Sequence, residues 1–241
     1  MAQTPRRVIG TGDSRAQPVA VPEHLSYIVI EGVLGVGKSA LARLLAQRFN
    51  AQLVLEDIDE NPFLGKFYKD RQRWAFQTQV AFLASRYRQQ RTMLMRDLFH
   101  DLLIADYAFD KDRIFAHLNL SGDEVQLYET LYTLMEPNTR RPDLVIYLQS
   151  SVEYSMKAIP HRGRSYETDM SSDYLAALHE AYTYYFFRYS KSPLLIINTE
   201  NIDFNNCPED LDELVRQIVT GKHHGTTYFR RNHRQSNPDV A

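Results

Sequence analysis

The chain has 241 residues, enough for one α/β domain with a sizeable core. It carries 28 Lys and Arg against 30 Asp and Glu, and this balance argues against a long nucleic-acid partner, which usually binds a basic face. No apolar run approaches the roughly 20 residues that span a bilayer, so we expect no membrane association. The single cysteine, Cys207, allows no intramolecular disulfide, which favours a reducing cytoplasm.

The two ends of the chain differ in composition from its middle. Residues 1–26 contain Pro, Gly and Arg but no apolar stretch typical of a secretory signal. We expect a flexible leader there, although an Arg-bearing segment with few acids is also compatible with an organelle transit peptide. Residues 27–220 are predicted to form one domain and residues 221–241 a basic tail, mostly a flexible end in which 225–229 is the candidate for docking.

Predicted strands and helices alternate along the chain. Short apolar runs predict strands at 27–31, 53–55, 102–105, 144–148 and 194–197. Helical spacing of apolar residues predicts helices at 39–49, 74–98, 125–135, 152–158, 174–189 and 209–219. The alternation predicts a five-stranded parallel sheet with helices on both faces.

Three of these strands are followed by residues that suit an active site. Gly32, Glu56 and Asp106 come after the first, second and third predicted strands. In open parallel sheets, ligands bind beyond the carboxyl ends of the strands. The sequence therefore predicts a binding site at that edge of the sheet.

Residues 32–39 match the Walker A pattern, G-x-x-x-x-G-K-[ST]. Its glycines let backbone N–H groups turn inward around a polyphosphate, Lys38 can reach the β- and γ-phosphates, and Ser39 places a hydroxyl where magnesium binds. A P-loop NTPase-type fold is predicted, but the pattern does not distinguish an ATPase, a GTPase and a kinase. The residues predicted to bind ATP are Gly32, Val33, Leu34, Gly35, Val36, Gly37, Lys38 and Ser39.

Further segments make the chain resemble the deoxynucleoside kinase family, especially the bacterial deoxyadenosine/deoxyguanosine kinases. The resemblance extends from about residue 27 to residue 204. It is carried by EGVLGVGKS at 31–39, EDIDENPFL at 56–64, FYKDRQRWAFQTQ at 67–79, DKDRIFA at 110–116 and HRGRSYE at 161–167. It implies an ATP- and Mg²⁺-dependent cytoplasmic enzyme of nucleotide salvage. Such an enzyme phosphorylates the 5′-hydroxyl of a deoxynucleoside, here expected to be deoxyguanosine or deoxyadenosine.

The resemblance also implies the catalytic roles. Glu56 matches the glutamate that accepts the proton of the 5′-hydroxyl, although Asp57 and Asp59 are rival carboxylates. Arg162 and Arg164 match a lid that closes over the phosphates and, with Lys38, stabilises their charge. Ser39 and Asp106 are the expected magnesium ligands.

The expected acceptor-binding residues lie in three segments. Gln79 and Arg86 are seven residues apart on one predicted helix, hence on one face, and with Asp112 they match the residues that bind the nucleobase. Tyr68 and Glu167 match residues that hold the sugar 3′-hydroxyl. Family members of this bacterial type form homodimers, and the helices at 125–135 and 74–98 are the candidate contact surfaces.

One segment departs from the family pattern. Many members have an acidic residue, Arg and Ser after the third strand, whereas this chain has Asp106-Tyr107-Ala108. Tyr107 cannot supply the positive charge of the arginine. Either a lid arginine compensates for it, or the chain belongs to a divergent branch.

Two alternative functions stay open at this stage. A nucleoside monophosphate kinase would need extra basic residues for the acceptor phosphate, whereas Gln, Tyr and Glu on the acceptor side suit a neutral nucleoside. A non-catalytic, nucleotide-dependent switch is the alternative of another class, but the Asn-Lys-x-Asp segment with which a GTPase reads guanine does not occur.

Overall fold

The computed structural model describes residues 18–93, 100–162, 170–200 and 202–231. Its strands are β1 (Tyr27–Gly32), β2 (Gln52–Val54), β3 (Leu103–Ala105), β4 (Leu144–Gln149), β5 (Leu194–Asn198) and β6 (Thr226–Tyr228). Its helices are α1 (Lys38–Phe49), α2 (Leu64–Lys69), α3 (Arg71–Met93), α4 (Lys111–Asn119), α5 (Gly122–Met135), α6 (Val152–Ala158), α7 (Ser172–Phe187) and α8 (Pro208–Thr220). Short 3₁₀ helices cover Glu136–Asn138 and Ile159–Arg162.

The sheet has the order β2-β3-β1-β4-β5-β6, and all its pairs are parallel. The predicted parallel α/β fold is thereby confirmed, but the strand count was wrong, because the described residues form six strands rather than five. The extra strand, β6, lies within the predicted tail and pairs with β5. The Phe229 N–H donates to the Ile196 carbonyl oxygen at 2.8 Å, which extends this pairing by one residue.

Alternating side chains of the central strands form a core on each face of the sheet. In β1, Ile28 and Ile30 lie in the core that α1 and α8 cover, and Tyr27 and Val29 lie in the core that α7 covers. All four residues are buried. Successive strand residues point to opposite faces, so this unbroken apolar run is typical of a strand covered on both sides.

The prediction from sequence missed two helices, α2 and α4. The first is only six residues long, and the second begins in the charged segment Asp110–Arg113. Together with α3 and α5 they enclose a third apolar cluster, which includes Phe67, Leu83, Phe109 and Tyr132. This helical layer stands beside the carboxyl edge of the sheet and provides walls for a pocket.

No helix in the part of the chain that the structure describes is long and apolar enough to cross a membrane.

Candidate active site

The ends of three neighbouring strands meet at one edge of the sheet. Because β3 lies between β1 and β2, the segment after β3 lies between the segments that follow the other two strands. Asp106 follows β3 directly, and Glu56 is the second residue after β2. Asp106 therefore lies between Glu56 and the glycine-rich loop that follows β1.

The loop from β1 to α1 has the shape of an anion cradle. Gly35 and Gly37 adopt φ of +84° and +98°, in the left-handed region that favours glycine. Helix α1 starts without a side-chain cap or an acidic first turn, so its N–H groups and its positive dipole end can face an anion. The Lys38 ammonium donates to the Gly32 carbonyl oxygen at 2.7 Å and to that of Val33 at 3.1 Å.

Asp106 connects this cradle to Glu56. Its Oδ2 accepts a hydrogen bond from Ser39 Oγ, and its Oδ1 accepts one from the Glu56 backbone N–H at 2.7 Å. The Asp106 side chain is buried. One carboxylate thus fixes Ser39 and Glu56 as neighbours, although 17 positions separate them in the sequence.

The Glu56 carboxylate lies between two cations. Its side chain is only 6% exposed. Oε1 accepts from Arg86 Nε at 2.9 Å and from the Nη2 group of the same guanidinium, and Oε2 accepts from Lys111 Nζ at 2.6 Å. Burial by itself would raise the pKa of Glu56, but the charges and hydrogen bonds of Arg86 and Lys111 outweigh it and lower that pKa. Glu56 is therefore ionised at neutral pH.

The two rival carboxylates have a different environment. Asp57 and Asp59 are exposed, whereas the side chain of Glu56 is buried beside the cradle. A general base must lie within hydrogen-bond reach of the proton it removes. This geometry favours Glu56 over Asp57 and Asp59.

A pocket opens beside Glu56. Aromatic side chains from α2, α3 and α4 form much of its wall, and polar side chains from α2 and α3 face it. The members that matter here are Phe67, Phe82, Phe115, Tyr68, Gln79 and Arg86. Such a mostly apolar pocket with a few polar groups is typical of a small-molecule site.

Three of the buried polar atoms that lack a hydrogen-bond partner among the described residues belong to this region: two are on side chains that line this pocket, and one is on Asp112, which pairs with the pocket residue Arg86. They are Thr78 Oγ1, Gln79 Oε1 and Asp112 Oδ2. The other oxygen of Asp112 accepts from Arg86 Nη1, so α3 and α4 are joined by a buried ion pair. Because buried polar groups are normally paired, the unpaired atoms indicate where a polar ligand would bind.

A second pocket lies on the other flank of the cradle. Gly37 of the loop, Ala40 of α1, and residues 199–200 and 202–207 after β5 line it. Asp210 is buried there with Oδ2 unpaired among the described residues, and its Oδ1 accepts from Arg231 Nε at 2.6 Å. The cradle thus lies between two openings, one beside Glu56 and one beside α8.

The structure brings most of the predicted site residues together. The loop residues 32–39, Asp106, Glu56, Arg86 and Asp112 form one connected cluster, and Tyr68 and Gln79 line the pocket beside it. Arg164 and Glu167, and the side chain of Arg162, lie outside the described residues.

Three residues of this region were missed by the sequence analysis. Thr78 and Lys111 line the pocket. Glu31, at the end of β1, is fully buried and accepts hydrogen bonds from the backbone N–H groups of Gly32 and Ala108. Only Lys111 had a signal in the sequence, since it is a basic residue four positions after the tyrosine that replaces the family arginine.

Known proteins resemble the chain over most of its length. A sequence model of the family described as deoxynucleoside kinase matches residues 28–221. A deoxyadenosine/deoxycytidine kinase from Bacillus subtilis is 32% identical over 211 residues, which are 84% of this chain and 95% of that protein. A deoxyguanosine kinase from the same organism is 34% identical over 162 residues, covering 65% of this chain and 76% of that one.

A solved structure shares the fold. Deoxyadenosine kinase from M. mycoides, with bound dATP, superposes with a TM-score of 0.69 at 23% identity, and the match covers 78% of this chain and 99% of that one. The matches in sequence and in fold confirm the resemblance that the motifs indicated.

Proposed function

Because this chain belongs to the deoxynucleoside kinase family, a family of phosphotransferases with an alcohol acceptor, we propose that it transfers the γ-phosphoryl group of ATP to the 5′-hydroxyl of a purine deoxynucleoside. One observation carries the assignment of its active site. The carboxylate of Asp106 binds both Ser39 of the cradle and the backbone of Glu56. A phosphate donor and a proton acceptor therefore meet at the mouth of the acceptor pocket.

The chemical step needs a base beside the acceptor. The 5′-oxygen attacks the γ-phosphorus, the bond from that phosphorus to the bridging oxygen breaks, and ADP leaves. Glu56 takes the proton of the hydroxyl. It is ionised and buried, and a base in this position typically contributes about 10²–10⁴-fold to the rate.

The cradle neutralises the charge of the donor. Lys38 and the N-terminal N–H groups of α1 are proposed to bind the phosphates, and the family resemblance assigns Arg162 and Arg164 to a lid that adds positive charge to them. Catalysis of phosphoryl transfer depends mainly on such positioning and charge stabilisation. The opening beside α8 leaves room for the base of the donor nucleotide.

Magnesium fits the oxygen donors beside the cradle. Within the described ranges no group of three or more His, Cys, Asp or Glu could hold a metal ion without help. Mg²⁺ is usually held by one or two protein oxygens together with substrate phosphates. Ser39 and Asp106 supply such a pair, already in contact through their oxygen atoms. Bound there, the ion would neutralise charge on the β- and γ-phosphates.

The unpaired polar atoms of the acceptor pocket support recognition of a nucleobase. The Gln79 amide and the Arg86–Asp112 pair offer donors and acceptors for the base edge, and Phe82 and Phe115 offer apolar faces. Tyr68 and Glu167 are proposed to hold the 3′-hydroxyl. A purine acceptor is also supported by the two relatives from Bacillus subtilis, whose names include deoxyadenosine and deoxyguanosine.

The acceptor class is tested with the purified full chain, radiolabelled ATP and Mg²⁺. The panel holds the four deoxynucleosides, their ribo counterparts, and deoxyadenosine and deoxyguanosine monophosphates. We expect a labelled deoxynucleoside 5′-monophosphate, formed fastest from a purine. Faster labelling of a monophosphate would favour a nucleoside monophosphate kinase, and ATP binding without any labelled product would favour a non-catalytic switch.

We also propose a cytoplasmic homodimer. Leu127 and Leu134 are exposed on α5 and are seven residues apart, hence on one face of that helix. Tyr184 and Phe187 are exposed on α7. Light scattering after gel filtration should give twice the mass of the chain, and a monomeric mass would contradict the proposal.

A further inference from the structure

The segment after β3 lacks the positive charge that the family places there. Tyr107 is completely buried, and its hydroxyl has no hydrogen-bond partner in the described part of the chain. A phenol carries no positive charge, so Tyr107 leaves the mouth of the acceptor pocket one cation short.

Four residues later, α4 brings a lysine to that place. The Lys111 N–H donates to the Ala108 carbonyl oxygen at 3.1 Å, so the chain turns directly from the end of β3 into the helix. The Lys111 side chain is only 4% exposed and its Nζ reaches Glu56 Oε2 at 2.6 Å. A lysine is almost never buried to this degree unless it is paired.

Acidic side chains surround Lys111, and few other cations balance their negative charge. The buried carboxylates of the cluster are Glu56, Asp106 and Asp112. The cations that accompany them in the described residues are Lys38, Arg86 and Lys111. Lys111 occupies one oxygen of Glu56 and Arg86 occupies the other, so neither oxygen can turn away from the pocket without breaking a charge-assisted hydrogen bond.

We propose that Lys111 is a positioning residue that replaces the family arginine: from the first turn of α4 it holds the Glu56 carboxylate toward the 5′-hydroxyl and supplies the charge that Tyr107 lacks. This inference rests on the proposed kinase function. The missing arginine charge is thus supplied by a residue next to the general base Glu56, rather than by the lid arginines.

The test compares Lys111→Met, which removes the charge, with Lys111→Arg, which retains it. Arg88→Met is the matched control, because it removes one positive charge from the same region but from a side chain that is 74% exposed. Urea unfolding verifies that each variant is folded. Steady-state kinetics with ATP and the best deoxynucleoside of the panel give kcat and both KM values.

We expect Lys111→Met to lower kcat by about 10²-fold, the usual cost of a misplaced or missing group at the reacting centre, with the KM for ATP nearly unchanged. Lys111→Arg should recover kcat to within about tenfold of the wild type, and Arg88→Met should match the wild type. A purely structural lysine would not give this split between kcat and KM. Wild-type kcat in Lys111→Met, or equal losses in Lys111→Met and Lys111→Arg, would overturn the inference.

If Lys111→Met does not fold, Lys111→Gln tests the role of the charge instead, because its amide keeps a hydrogen-bond donor toward Glu56 but carries no charge. Normal kcat in that variant would also overturn the inference. The two proposals fail separately: a wild-type protein that labels no deoxynucleoside refutes the kinase function. An active wild type whose Lys111 variants are equally active refutes only the role of Lys111.

Discussion

The ammonium group of Lys38 lies 2.7 Å from the carbonyl oxygen of Gly32, at the opposite end of the same loop. This hydrogen bond closes the loop and keeps the lysine over the cradle before any anion arrives. A charge that is already in position needs little reorganisation when phosphate binds.

Replacing Lys38 by Ala should lower kcat by about 10²–10³-fold, by analogy with the removal of one transition-state donor. Radiolabelled-ATP kinetics measure the effect, and Lys222→Ala, at an exposed residue near the end of the domain, is the control. Full activity in a folded Lys38→Ala variant would disprove the proposed mechanism.

Replacing Gln79 by Leu should impair the use of the deoxynucleoside without destabilising the fold. The variant removes a buried oxygen that has no partner in the described structure, so urea unfolding of the ligand-free protein should show no loss of stability. The value of kcat/KM for the deoxynucleoside should fall by about 10- to 100-fold, because the base loses a paired contact. Gln77→Leu, on the exposed face of the same helix, should change neither quantity. A Gln79→Leu variant that is less stable but equally efficient would show that Gln79 is a structural residue.

Two glycine-to-alanine variants should have opposite effects on stability. Gly37 has φ +98° and open space where the Cβ of an alanine would lie, so Gly37→Ala should cost about 1–2 kcal/mol of unfolding free energy through backbone strain alone. Gly65 lies within α2 without a positive φ and also has open space, so Gly65→Ala should add about 0.4–1 kcal/mol. Urea titrations measure both. Equal effects would contradict the left-handed geometry of the loop.

The buried Glu31 should make stability depend on pH. Burial raises the pKa of Glu31, although the charges of Lys111 and Lys38 oppose this. The folded state therefore retains a proton that the unfolded state releases above about pH 4.3, and the contribution of Glu31 to stability falls as pH rises from there to the folded pKa. Glu31→Gln does not titrate, so its unfolding free energy relative to the wild type should increase with pH over that window. Urea titrations at pH 5 and pH 8 measure it, and a constant difference would show that the pKa of Glu31 is not raised.

Local patterns were enough to predict the central sheet and the cradle. The run from Tyr27 to Ile30 is apolar on both faces, and the glycines, Lys38 and Ser39 that follow predict a phosphate-binding loop between a strand and a helix. Glu56 and Asp106 could be placed because parallel strands expose their carboxyl ends at a shared edge.

The remaining features depend on contacts that the sequence does not display. The Thr-Thr-Tyr of β6 is short and lies in a basic tail, and only pairing with β5 makes it a strand. Helix α4 begins in a charged run that resembles a loop, so the sequence did not predict that Asp112 lies on a helix. The pairing of Arg86 with Glu56 joins residues 30 positions apart, and no spacing rule indicates it.

The guanidinium of Arg86 binds Glu56 with one side and Asp112 with another. If Asp112 reads the base and Glu56 accepts the proton, then nucleobase selection and turnover share a single side chain. An engineer who wishes to change the preferred nucleoside would lose speed by altering Arg86 or Asp112. Phe82 and Phe115 carry the same risk, because their rings contact Arg86 and Lys111, the two cations that hold Glu56. Ile58 and Leu64 also line the pocket and are the safer positions to alter.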